Sequence, residues 1–102
     1  MIKIIFAYNP NDIMSYIIKN RIDILNIKSK ELDTEYHEIN IYEEPQIIDD
    51  LDLEYNQTLI FINSETNKEL YRIDRPFEYN SLILGLMVSK NLLKKQQKEG
   101  VL

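Results

Sequence analysis

Asn9 and Asp12 stand three residues apart, separated by Pro10 and Asn11, where an apolar run gives way to a helical pattern. An amide and a carboxylate at that spacing can put a donor and a proton acceptor side by side at a helix N-terminus. The same four residues also make a turn and an N-cap. Pro10 and Asn11 bend the chain, and an Asp12 side chain that accepts from the first helical N–H groups would itself occupy the anion site. Turn and cap account for both residues without chemistry. His37 is the only histidine, with Glu35 and Glu38 beside it. A general base or metal ligand needs further groups converging on it, so His37 reads as a solvated side chain on a strand edge. Ser15, Ser29, Ser64, Ser81 and Ser89 lack nucleophile-elbow glycines and a partnered histidine. Gly85 and Gly100 are the only glycines, so no glycine-rich loop can cradle a phosphate. The chain contains no cysteine, which removes thiolate nucleophiles, disulfides and cysteine-ligated metal sites. No catalytic residue, metal site or cofactor is expected, and the chain is expected not to be an enzyme.

Charge distribution carries the positive signal. Eleven acidic residues and no Lys or Arg lie between Glu31 and Asn67, while the flanking segments together are net +6. A patch of one sign steers association with an oppositely charged partner and repels like-charged ones. Asp49, Asp50, Asp52 and Glu54 would form such a patch, with Tyr42 and Tyr55 nearby; tyrosine offers a large contact area at low entropic cost. The expected partner is therefore a protein with a basic surface, although a merely solvated acidic face has the same composition. With a net charge of −5, nucleic acid and anionic membranes are not expected as partners. No apolar run is long enough to span a bilayer, and no signal-peptide pattern opens the chain. Together with the missing cysteines this suggests a cytoplasmic protein.

The elements that must position these residues follow from periodicity. The 102 residues, 44% of them apolar, suit one domain spanning 1–102. Ile2–Tyr8 reads as a buried strand. Met14, Ile17, Ile18, Ile22 and Leu25 form one face of a helix running from the Asp12 cap to about Ser29. Glu31–Glu35 returns the chain to a strand over about Tyr36–Tyr42. Pro45 suits the first turn of a short helix, Pro45–Leu53, bearing Ile47, Ile48 and Leu51. Thr58–Ile62 is a second buried strand, and a turn over Asn63–Asn67 leads to a strand at Lys68–Ile73. Asn80 or Ser81 should cap a last helix rich in leucine and ending in Lys90, Lys94, Lys95 and Lys98, which suit its dipole. The expected order is β-α-β-α-β-β-α: an α/β domain with a four-stranded mixed sheet. The first and third helices should cover one face and the short second helix the other, with Ile2–Tyr8 and Thr58–Ile62 as neighbouring central strands.

That order, with these lengths, resembles the thioredoxin-like fold over nearly the whole chain. Asn40–Ile48 resembles the strand and helix entry that follow the active-site helix in thioredoxins. Asn56–Asn63 resembles the strand that carries the family's cis-proline. The resemblance implies that Asn9, Pro10, Asn11 and Asp12 stand where the Cys-Pro-x-Cys redox motif would be, with Asn9 and Asp12 at the cysteine positions, and that Gln57 stands at the cis-proline. A cis bond before a residue other than proline costs about 2.5–4 kcal/mol, so Asn56–Gln57 should be trans. A further likeness is to KaiB, a thioredoxin-like clock protein without redox activity, through Ala7-Tyr8-Asn9-Pro10-Asn11; KaiB's proline-rich second half has no counterpart here. The expected function is a redox-inactive thioredoxin-like module that binds or regulates another protein through its acidic surface. The alternatives are a phage or mobile-element inhibitor of a host protein, a structural subunit, and an enzyme using non-thiol chemistry at Asn9–Asp12.

Overall fold

In the computed structural model, residues 1–25, 33–76 and 78–100 are described, with the side chains of 99 and 100 excepted. Four strands, β1 (Ile2–Tyr8), β2 (Thr34–Asn40), β3 (Gln57–Asn63) and β4 (Glu69–Asp74), form one sheet in the order β2-β1-β3-β4. β1 and β2 are parallel, which requires a crossover, and α1 (Ile13–Ile24) lies on that connection. β3 runs antiparallel to both β1 and β4. The β3–β4 hairpin turns through Asn67 at φ 60, a left-handed conformation that asparagine tolerates.

Alternation along the two central strands creates two cores. Ile2, Ile4 and Phe6 of β1 and Leu59 and Phe61 of β3 point to one side. There they pack with Ile18 and Ile22 of α1 and with Leu82 of α3 (Tyr79–Gly100). Ile5, Ile60 and Ile62 point to the other side, against Leu51 and Leu53 just beyond the short α2 (Ile47–Asp50). Every residue of β3 is buried, as expected for an interior strand covered on both faces. Burying one such Ile, Leu or Phe side chain contributes about 1.5–3 kcal/mol. The expected sheet and helix order, the neighbouring central strands and the division of the helices between faces are all present.

Several boundaries differ from those expected. α1 ends at Ile24, and the Leu25 N–H closes it on the Arg21 carbonyl at 3.1 Å; the expected extension over 26–29 lies outside the described residues. β2 occupies Thr34–Asn40 rather than Tyr36–Tyr42. It stops there because the Asn40 side chain accepts from the Tyr42 N–H at 2.9 Å and folds the chain into a turn. α2 is one turn rather than nine residues, since Asp52 adopts a left-handed φ of 52 and diverts the chain. Ile48, expected on its apolar face, is exposed. α3 begins at Tyr79, so Asn80 and Ser81 lie inside its first turn rather than capping it.

Candidate functional site

The Asn9–Asp12 turn is built against the start of β3. Tyr8 pairs with Gln57 in register, and the Asn9 N–H extends the ladder to the Asn56 carbonyl at 2.8 Å. Asn9 Oδ1 accepts from the Asn11 N–H at 2.9 Å, and the Asp12 N–H closes the turn on the Asn9 carbonyl at 3.2 Å. Asp12 is the N-cap of α1: Oδ1 accepts from the Met14 N–H at 3.0 Å, with the residue's own backbone extended. Its Oδ2 accepts from Asn56 Nδ2 at 3.1 Å, while Asn56 Oδ1 accepts from Asn9 Nδ2 at 3.3 Å. Beneath this ring, buried Gln57 donates to Ser15 Oγ at 3.0 Å, and Ser15 donates to the Asn9 carbonyl at 2.7 Å. The Gln57 amide, the Met14 N–H and the Asn56 amide, in that order of weight, hold the Asp12 carboxyl below its ordinary range. No described peptide bond is cis, Asn56–Gln57 included. Because both Asp12 oxygens are engaged and its acidity is raised, the carboxylate is suited to organising the helix entry and poorly suited to taking a proton at neutral pH.

The acidic segment lies on the opposite side of the sheet from α1 and α3. Asp49 and Asp50 are exposed on α2, and Asp52, Glu54 and Tyr55 follow it towards β3. Arg72 of β4 ties this segment down. Its Nη2 donates to the Leu51 carbonyl at 2.7 Å and its Nη1 to the Asp52 carbonyl at 3.1 Å. Nη2 and Nε also reach Glu69 Oε1 at 2.7 and 3.1 Å, and the Glu69 carboxylate raises the guanidinium pKa further. Two shallow depressions result. One, of ≈ 330 Å³, is lined by Asp52, Glu54, Glu69, Arg72 and Asp74. The other, of ≈ 340 Å³, is lined by Asp12, Glu54, Tyr55, Asn56, Gln57 and Arg75. Glu54 belongs to both. The fold thus brings Glu54 and Tyr55 towards Asp12 and Gln57 and Asp52 towards Glu69, Arg72 and Asp74, while Asp49 and Asp50 stay outside either depression.

Sequence reasoning did not single out Asn56, Glu69, Arg72, Asp74 or Arg75. The alternation of β4 was the available signal, because the hairpin register that pairs Thr58 with Asp74 and Ile60 with Arg72 puts both polar residues on the α2 side. Arg75 carries a left-handed φ of 51, uncommon for a non-glycine residue, and its guanidinium lies 5.0 Å from the Tyr55 ring centroid. His37 is exposed, with Nε2 3.0 Å from Glu35 Oε1. Glu38 points to the other face, towards Lys19 at 3.6 Å and the Tyr36 hydroxyl at 3.1 Å. Burial, then the Glu38 charge, pushes the Tyr36 phenol well above its ordinary range. Among the described residues no three His, Asp or Glu side chains converge as metal ligands.

No family model matches the chain, and no curated protein matches it in sequence. Solved structures do. Mitochondrial thioredoxin 3 of Saccharomyces cerevisiae, in its oxidized form, superposes with a TM-score of 0.71 at 13% identity, covering 84% of this chain and 76% of that one. Trxlp of Edwardsiella tarda gives 0.68 at 12% identity, covering 79% and 77%. A malarial protein gives 0.70 at 14% identity, covering 85% and 93%. Identities this low establish the fold alone. The chain has a thioredoxin-like fold and carries no cysteine, so thiol–disulfide exchange is closed to it.

Proposed function

We infer that this chain is a protein-binding module, redox-inactive for want of thiols, which engages a basic surface of its partner through the acidic face around α2. One observation carries the inference: Glu43, Glu44, Asp49, Asp50, Asp52 and Glu54 are all exposed on one stretch of chain, and Tyr42, Ile48 and Tyr55 are exposed among them. Apolar anchors ringed by charge of one sign are what a steered protein interface needs, since the charges set the encounter rate and the anchors the residence time. Arg72 supports the same reading, because it holds the segment to the sheet through backbone carbonyls and leaves the aspartate carboxylates turned to solvent. At the Asn9–Asp12 turn the capping bonds of Asp12 favour a structural role over catalysis.

Reversing Asp49, Asp50 and Asp52 to Lys tests this. Each exposed change should alter stability by no more than about 0.5 kcal/mol, so circular dichroism and melting should match the parent. With a partner captured from the native cell, the triple variant should associate more slowly and with a flatter salt dependence. An unchanged rate and salt response in a normally folded variant would reduce the acidic segment to a solvated face.

A further inference from the structure

Among the described residues, α3 presents a second surface without a packing partner. Its core side carries Leu82, Gly85 and Ser89, all buried. The opposite side carries Ile83, Leu84 and Met87, which are 43%, 52% and 58% exposed. Continuing from Met87 at i+3 and i+4 spacing come Lys90, Lys94 and Lys98, with Lys95 beside them. One helical stripe therefore runs from three exposed apolar side chains into a row of lysines. The helix dipole explains why lysines collect at this end, but it does not explain the exposed apolar half.

The α2 face is the counterpart of this stripe in both respects. It exposes Tyr42, Ile48 and Tyr55, and the stretch from Glu31 to Asn67 supplies carboxylates and no Lys or Arg, with Arg72 and Arg75 bordering it from β4 and the residue after it. The two surfaces cannot meet within one molecule, because α3 packs on the side of the sheet bearing Phe6 and Phe61 whereas Leu51 and Leu53 cover the side bearing Ile5 and Ile60. We propose that the α3 stripe docks on the α2 face of a second copy of this chain. The contact joins two different patches and is heterologous, so it leaves one unused patch at each end and propagates unless the geometry closes it into a ring. The proposal rests on the acidic face being a binding surface and adds that the chain itself is one of its ligands.

Sedimentation velocity over a wide concentration range, on the full chain at low salt, reads the contact directly. The mass should rise from 12.2 kDa with concentration, and return to that value in about 1 M salt, where the screening length is ~3 Å. Two variants then locate it: Asp49→Lys/Asp50→Lys/Asp52→Lys, and Lys90→Glu/Lys94→Glu/Lys95→Glu/Lys98→Glu. The first neutralises the α2 face, where Glu43, Glu44 and Glu54 remain, and the second makes both faces acidic, so each alone should remain a monomer. Mixed in equal amounts, the two should associate again through the one α3 stripe and the one α2 face left intact, which misfolding would not produce. A monomer at every concentration overturns the proposal, as does association that survives either variant or a mixture that stays monomeric. The α3 variant keeps the acidic face intact, so it should still capture a different protein if self-docking fails but the acidic face is a binding surface. Loss of capture by the α2 variant alone would support that broader function separately.

Discussion

Asp12 concentrates the residue-scale argument. Its carboxylate serves two neighbours at once, the Met14 N–H of the helix it caps and the Asn56 side chain that precedes β3. The Gln57 amide, foremost, together with these two bonds favours the ionised form, so the folded-state pKa lies below the ordinary value near 3.8. The sign follows: the stabilisation is fully present above that ordinary value and is lost as pH falls through the lower folded-state one. Asp12→Asn keeps the shape and one acceptor oxygen but removes the charge. The variant should melt below the parent at neutral pH, and the gap should close in acid once the parent's carboxyl is protonated. A gap of constant size across the acid range would mean that shape alone, not charge, does the capping. Capping at Asp12 was legible from Asp before a 3.6-residue apolar pattern. The Asn56 and Gln57 contacts were not, because residues 44 and 45 positions away in the chain become neighbours only through β1–β3 pairing.

At the scale of elements, the seat of α3 on the sheet depends on Gly85. A Cβ built there would come within 2.8 Å of both Ile73 Cδ1 and Phe61 Cε2. Glycine costs a helix interior about 0.5–1 kcal/mol relative to alanine, so the position keeps it for close approach. Gly85→Ala recovers that amount but forces the helix or the Phe61 ring to move, and overpacking typically costs about 1–3 kcal/mol. The clash should win, with a net loss of up to about 2 kcal/mol, read as a lower urea midpoint at unchanged slope. A variant more stable than the parent would show that α3 can shift freely, and that its packing does not depend on this contact. Element boundaries show the same interplay of local and distant forces. β2 ended early through a local Asn40 turn, and α2 was cut to one turn by the left-handed Asp52, whose carbonyl Arg72 binds from β4.

For the molecule as a whole, β1 and β3 belong to both cores. Ile4 and Phe61 face α1 and α3, while Ile5 and Ile60, their chain neighbours, face the α2 side. Neither face can lose its cover without exposing strands that the other face needs. Unfolding should therefore be a single cooperative event, with far-ultraviolet dichroism and the near-ultraviolet signal of the tyrosines giving one midpoint and a midpoint enthalpy of about 60–80 kcal/mol. Separated transitions would mean that the α2 side, covered by a single helical turn and its trailing loop, opens before the rest.

Periodicity and composition alone determined the order of the seven elements, the two buried runs at the centre of the sheet, and the absence of thiol chemistry. Those features follow from local spacing and from which atoms the chain possesses. Tertiary structure alone decided that Asp12, Asn56 and Gln57 form one network and that Arg72 pins the acidic segment to β4. The physical reason is register. Period two says which side chains share a face within one strand, but which strands pair, and at which residue, is settled by the packing of both cores at once.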